Sequence, residues 1–247
     1  MKSIKQMHWW TLVTDREQWT LKPYSLLRRI LINLVGVVIV SIGIGVCNVG
    51  FVGVDPYAAF LMALSHLTGL AYTWMVPLVN TILFILIVIP FDRSIFGFGM
   101  ITNMTLVGFF TDTFTSIYHH FYTPTFSWWI LAIHLVIGLF FFCLGVSLQI
   151  RPNLGACPYD GIAPSLHRHF PKISYRVFRT CQDIITIIIA GVLIKFNLGI
   201  GILGIGTIIM GFFIGTIVDW FSKHCTEKLL GVRGEDNEPI KKAALAK

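Results

Sequence analysis

Residues 30–50 read ILINLVGVVIVSIGIGVCNVG, a run without a single charged side chain. A run of 18 or more apolar residues reaches across about 30 Å of hydrocarbon when helical, which marks it as a membrane span. Further hydrophobic runs of spanning length, some with a few charges, recur near 72–90, 95–117, 128–150, 176–196 and 199–221. Composition agrees: 55% of residues are hydrophobic and only 13% are charged, against about 25% charged in a soluble domain. The expectation is an all-α integral membrane protein with six spans.

The placement of charge excludes other classes. A net charge of +7 is compatible with nucleic-acid binding, but the basic residues gather at the N-terminus, in one internal loop and at the C-terminus. That is the pattern of cytoplasmic flanks of membrane helices, and no aromatic-basic recognition motif accompanies it. Residues 1–28 carry Lys2, Lys5, Arg16, Lys22 and Arg28 among Trp9, Trp10 and Trp19, which suits a segment lying on the cytoplasmic membrane face. Since this polar leader precedes the first span, that span is expected to be retained as an anchor. Residues 223–247 read as a charged, disordered cytoplasmic tail.

Five cysteines without CxxC spacing read as packing residues, not a redox pair. His119–His120 and the His167–Arg168–His169 run lack the spacing of a metal site. No nucleophile elbow, phosphate loop or dinucleotide fingerprint is present, so no enzyme activity, metal or cofactor is expected. GIGILGIG at 199–206 lies inside a membrane run and reads as close helix packing through small residues.

Two short segments interrupt the oily pattern. GVDPYAA at 53–59 precedes a segment too short to cross alone, and GACPYDG at 155–161 precedes a second one, 158–170, opening on Pro158. They belong to an internal repeat. At an offset of 102, Gly43 pairs with Gly145, Gly53 with Gly155, Pro56–Tyr57 with Pro158–Tyr159, Asn80 with Gln182, Gly97 with Gly199, and Gly99 with Gly201. Repeated Gly and Pro positions mark backbone requirements, which oily composition alone does not reproduce. Repeat 1 is placed at 29–120 and repeat 2 at 121–222, each with three spans and one short Pro-led helix that re-enters or lies at the interface.

An odd number of spans inverts the second copy. Residues 48–72 contain no Lys or Arg, whereas 150–176 contain Arg151, Arg168, Lys172 and Arg176. The positive-inside rule therefore favours inverted copies, with both termini cytoplasmic. Inverted repeats with a broken segment in each half are the arrangement of secondary transporters, whose sites lie where the breaks meet.

The candidate pathway residues follow from the breaks and from intramembrane polar groups. Gly155, Pro158, Tyr159 and Asp160 form one break, Asp55, Pro56 and Tyr57 the other. Asp55 precedes its proline and suits an N-cap; Asp160 falls in the expected first turn of its helix, where the dipole favours a carboxylate. Asp219 has Lys223 one turn after it, so an i,i+4 pair accounts for it; Asp183 has Arg179 one turn before it, and either the same pairing or a place on the pathway accounts for it. Asp112 has no basic residue within a turn, which makes an intramembrane acid suspect as functional. Asn80, Gln182 and Asn103 either line a polar route or hydrogen-bond between helices.

Gly155, Pro158, Tyr159 and Asp160, followed by Gly204, Gly206 and Thr207 and then Gly211, Gly215 and Asp219, resemble the YitT/YczE family of bacterial multi-pass membrane proteins. The resemblance spans about residues 28–222. The second copy is the better match, since Ala58 stands where Asp160 would be and Asn103 where Gly206 would be. The chain is similar to the shorter YczE-like branch, without a C-terminal soluble domain. The resemblance implies a bacterial cytoplasmic membrane location and a transport role, but no substrate. The expected function is a small secondary transporter or exporter of an unknown small molecule or ion, with the bilayer and a homo-oligomer or membrane protein as partners. The alternative is a non-transporting scaffold or accessory subunit docking through its N-terminus and basic loop.

Overall fold

In the computed structural model, residues 26–88, 97–122, 125, 127–152, 154–155, 157–170, 172–197 and 201–230 are described. Among them every regular element is helical. The order is α1 (Leu26–Val49), α2 (Pro56–Thr68), α3 (Tyr72–Leu83, widening into a π turn at Phe84–Val88), α4 (Phe98–Phe121) and α5 (Trp128–Ile150). There follow α6 (Ile162–His169), α7 (Tyr175–Leu193), α8 (Ile205–Phe221, continuing through a π turn at Ser222–Thr226) and α9 (Glu227–Leu230).

Three described helices are long and apolar enough to cross a membrane: Leu27–Val49, Trp128–Ile150 and Ile205–Thr226. A fourth is reached if α2 and α3, bent by 114° at their junction, count as one broken span. Six spans were expected. The two long helices that fall short do so on polarity: α4 carries Asn103, Asp112 and a series of threonines, while α7 carries Arg176, Arg179, Gln182 and Asp183. The expected N-terminal membrane-surface segment lies outside the described residues except at its end. Residues 223–230 of the expected tail are helical, and the rest of it lies outside the described residues.

Packing is built around α1, which lies between α4 and α5. Glycines let the backbones touch: a Cβ on Gly43 would sit 2.4 Å from the Phe142 amide nitrogen, and one on Gly145 would sit 2.3 Å from that of Val40. Gly36 meets Leu148 and Gly50 meets His134, so contacts descend along α5 as they ascend along α1. The two helices therefore run antiparallel. At one end, Arg28 bonds the Leu229 carbonyl and Arg29 Nε donates to the Pro152 carbonyl at 2.7 Å. The start of α1, the exit from α5 and the end of α9 thus share one end of the molecule. Trp128, Trp129, Phe121 and Tyr122 are exposed around the α4–α5 connection, a cluster of the kind that sits at a membrane interface.

Two irregular segments dock on helix starts. Gly206 donates to the Val52 carbonyl at 2.8 Å, and Gly99 donates to that of Leu154 at 2.7 Å. Gly53, at φ +85°, turns the chain between Val52 and α2 where a side chain would strike Gly204 and Thr207. The reading of GIGILGIG as a close-packing segment fits Gly204, whose Cβ would lie 2.4 Å from the Val52 oxygen.

α2 begins as its sequence asks. The Asp55 carboxylate accepts from Tyr57 N at 3.2 Å and Ala58 N at 3.1 Å, and Pro56 takes the first helical position. Gly69, at φ +74°, ends it. The segment from Pro158 differs from expectation: Pro158, Tyr159 and Asp160 form a turn closed by Gly161 N on the Cys157 and Pro158 carbonyls, and α6 starts only at Ile162. Asp160 is therefore outside the helix whose first turn it was expected to occupy.

Candidate functional site at the tyrosine junction

The two Pro-Tyr breaks meet ring on ring. Tyr57 and Tyr159 stack with centroids 4.2 Å apart and planes 12° from parallel. Burial of the phenols requires partners for their hydroxyls. Tyr57 donates to Asn80 Oδ1 at 2.8 Å, and the Asn80 amide donates in turn to the Val76 carbonyl at 2.9 Å. Cys157 Sγ also points its proton at Asn80 Oδ1, at 3.2 Å. Tyr159 donates to Asp183 Oδ1 at 2.8 Å and lies 3.1 Å from Thr186 Oγ1.

Charge is concentrated on one side of this pair. Arg179 donates through Nε to Asp183 Oδ2 at 3.2 Å and through a terminal nitrogen to Asp160 Oδ1 at 2.8 Å. Its guanidinium lies over the Tyr159 ring, 5.2 Å from the centroid. Asp183 is buried, whereas the Asp160 side chain is about half exposed, at 49%. Arg179 thus clasps the 158–161 turn onto α7. The i,i+4 pair read for Arg179 and Asp183 is present, and the link to Asp160 extends it.

Beside the tyrosines lies a cavity of about 450 Å³ between α2, the end of α3, α6 and α7. Its walls are largely apolar, with Phe60, Leu166, Ile185 and Ile189 among them, and Tyr57, Tyr159, Gln182 and Thr186 supply its polar atoms. Gln182 Nε2 donates to the Tyr159 carbonyl at 2.8 Å, and Thr186 Oγ1 donates to the Gln182 carbonyl at 2.6 Å.

Of the candidates, Tyr57, Tyr159, Asn80, Gln182, Asp183 and Asp160 come together here, with Pro56 and Pro158 preceding the two rings. Asp55 is the cap of α2. Gly155, at φ +102°, belongs to the contact between Leu154 and the start of α4. Asp112 lies elsewhere: its Oδ2 accepts from Thr73 N at 2.8 Å and Thr73 Oγ1 at 2.6 Å. It caps the start of α3 from α4, a bond between helices that spacing within one helix does not reveal. Asp219 is exposed on α8, away from the junction. Thr186, Phe60, Leu166 and Ile185 carried no motif; the periodicity of Phe178, Gln182, Ile185 and Ile189 marks one face of α7, but nothing local points to Phe60 on α2 or Leu166 on α6.

A family model described as a family of unknown function, DUF6198, matches residues 27–223. A relative from Haemophilus influenzae, described as an uncharacterized protein, is 25% identical over 194 residues, covering 78% of this chain and 83% of its own. No solved structure matches.

Proposed function

The chain belongs to the DUF6198 family, and we propose that it is a small secondary transporter or exporter whose inverted halves meet at the tyrosine junction. The observation that carries this reading is the stacking of Tyr57 on Tyr159, one repeat position on itself across the molecule. Self-pairing of equivalent residues is what a local two-fold axis produces.

Other contacts support it by being reciprocal. Gly43 meets Phe142 as Gly145 meets Val40, and both pairs stand at the offset of 102. Val52 and Leu154, again 102 apart, accept from Gly206 and Gly99. Those two glycines are 107 apart, so the last helix of the second copy is shifted by five from the simple register that pairs Gly99 with Gly201. The antiparallel course of α1 and α5, the equivalent first helices, favours inverted over parallel copies. α4 and α7, though more polar than α1, α5 and α8, take the remaining crossings in this reading. The resemblance to the YitT/YczE family adds a bacterial membrane setting. The rival scaffold reading rests mainly on residues 1–25, outside the described residues.

Alternating access opens the junction to each face of the membrane in turn. The Arg179–Asp160 clasp is the contact best placed to open, because Asp160 is already half in solvent. The test uses Phe60→Cys and Leu166→Cys, each in a background lacking Cys181 and Cys225, in oriented proteoliposomes with a membrane-impermeant maleimide. Both thiols are expected to react from both faces, and Asp160→Asn is expected to raise reaction from the face that carries residues 151–175. Reaction from one face only, in every variant, would overturn the transporter reading.

A further inference from the structure

We propose that Arg179 is the binding group for a carboxylate solute, and that the Asp160 side chain holds the solute's place until it is displaced. The proposal names the substrate class of the junction just described. Its consequence for transport rests on that reading, whereas the binding itself does not.

The guanidinium is built to stay in position when one partner leaves. Its Nε donates to the buried Asp183 at 3.2 Å, and the group lies over the Tyr159 ring, 5.2 Å from the centroid. Neither contact involves Asp160. A pinned Nε and an aromatic face beneath the plane keep the fork oriented, which is what recognition of a carboxylate requires.

Asp160 is the exchangeable partner. Its carboxylate accepts one bond, from a terminal nitrogen at 2.8 Å, and it is half in solvent beside an Arg179 side chain that is 27% exposed. An ion pair so open to water is weak, and a single bond uses only part of the fork. A carboxylate free of the chain can approach end-on and take both terminal nitrogens, the bidentate arrangement that makes such pairs strong. The 158–161 turn is also closed by its own backbone, through Gly161 N on the Cys157 and Pro158 carbonyls, so it leaves α7 as a unit. A solute that takes the place of Asp160 therefore releases the clasp, which is the opening that the transport reading needs.

Reach and charge favour an anion. Arg179 lies four residues into α7, about 6 Å from its start, next to an exposed connection at 172–175. Residues 151–183 carry five Lys or Arg against two Asp, and counting Asp55, the cap of α2, leaves the excess standing. A positive local field draws anions toward the site. The group already seated there is a carboxylate, and that sets the ligand class.

Acetate is the free counterpart of the Asp160 side chain and serves as the probe, with acetamide as its uncharged isostere. The full chain in detergent is titrated with acetamide, or with sodium acetate against sodium chloride at equal ionic strength, and the thermal unfolding midpoint is read. Acetate is expected to raise the midpoint saturably, as a ligand of the folded state does, and acetamide and chloride are not. In Asp160→Ala the half-saturating concentration should fall roughly fivefold, the factor by which an exposed ion pair at the upper end of its usual worth occupies the site. Arg179→Met combined with Asp183→Leu, which removes the guanidinium without stranding a buried acid, should abolish the response. An acetate response in the native chain no larger than that to acetamide or chloride would refute the site, as would a full response in the double variant. An unchanged half-saturating concentration in Asp160→Ala would refute the displacement. In proteoliposomes, acetate should also raise maleimide reaction of the Leu166→Cys thiol, in the background lacking Cys181 and Cys225, from the face that carries residues 151–175. Saturable binding with no change at that thiol would overturn the coupling to transport and leave the carboxylate site standing.

Discussion

The acids of this chain do three different jobs, and their partners decide which. Asp55 caps its own helix and Asp112 caps a neighbouring one, through two bonds to Thr73. Asp112→Ala should therefore lower the thermal unfolding midpoint by the equivalent of about 1–2 kcal/mol, the usual worth of a helix cap. Two-sided labelling of the Leu166→Cys thiol, measured per folded molecule, should be unchanged. Asp183 is different because it is buried between Arg179 and Tyr159. Arg179→Met would leave that carboxylate without its counter-ion, at a cost of about 3–5 kcal/mol. Adding Asp183→Leu should recover most of the loss, an outcome checked by a double-mutant cycle in denaturant. If the double variant were as unstable as Arg179→Met, the charge pair would not be the source of the effect.

At the scale of elements, space decides which glycines are needed. Gly43 lies where a methyl group would strike the backbone of Phe142, an atom that no side-chain rotation moves away. Gly43→Ala should push α1 and α5 apart and destabilise by about 1–3 kcal/mol. Gly215 on α8 has nothing within 4 Å of its would-be Cβ, so Gly215→Ala should be neutral or gain up to about 1 kcal/mol of helix propensity. Both are read from unfolding of the purified protein in detergent. The sequence shows both glycines inside helical runs with identical chemistry, so the distinction comes only from what lies across the interface. The short segments teach the same lesson. GVDPYAA places an acid directly before proline, where capping is a local matter, and α2 forms where expected. In GACPYDG the acid follows the tyrosine and its partner, Arg179, is nineteen positions on. The turn is held by that distant guanidinium, and helix starts later.

For the whole molecule, inverted halves require the α4–α5 connection to lie across the membrane from both termini. An alkaline phosphatase fusion at residue 125 should be active outside the cytoplasm, and a fluorescent-protein fusion at the C-terminus should fluoresce inside it. Equal behaviour of the two fusions would sink the inverted topology. The contacts of Arg28 with Leu229 and of Arg29 with Pro152 already gather the ends of α1, α5 and α9 at one end of the molecule, which is the arrangement that topology needs.

Much of this protein can be read from its chain because the bilayer imposes local rules. Apolar runs mark α1, α5 and α8, since a helix in lipid must be oily over its own length. Pro and Gly mark the breaks, since each restricts or frees its own backbone. What only the tertiary structure decided is whatever depends on two distant segments at once. Tyr57 finds Tyr159, Asp112 finds Thr73, and Arg179 reaches back across nineteen positions to Asp160. A side chain's neighbours across an interface are set by how helices cross, and no spacing along one helix encodes that.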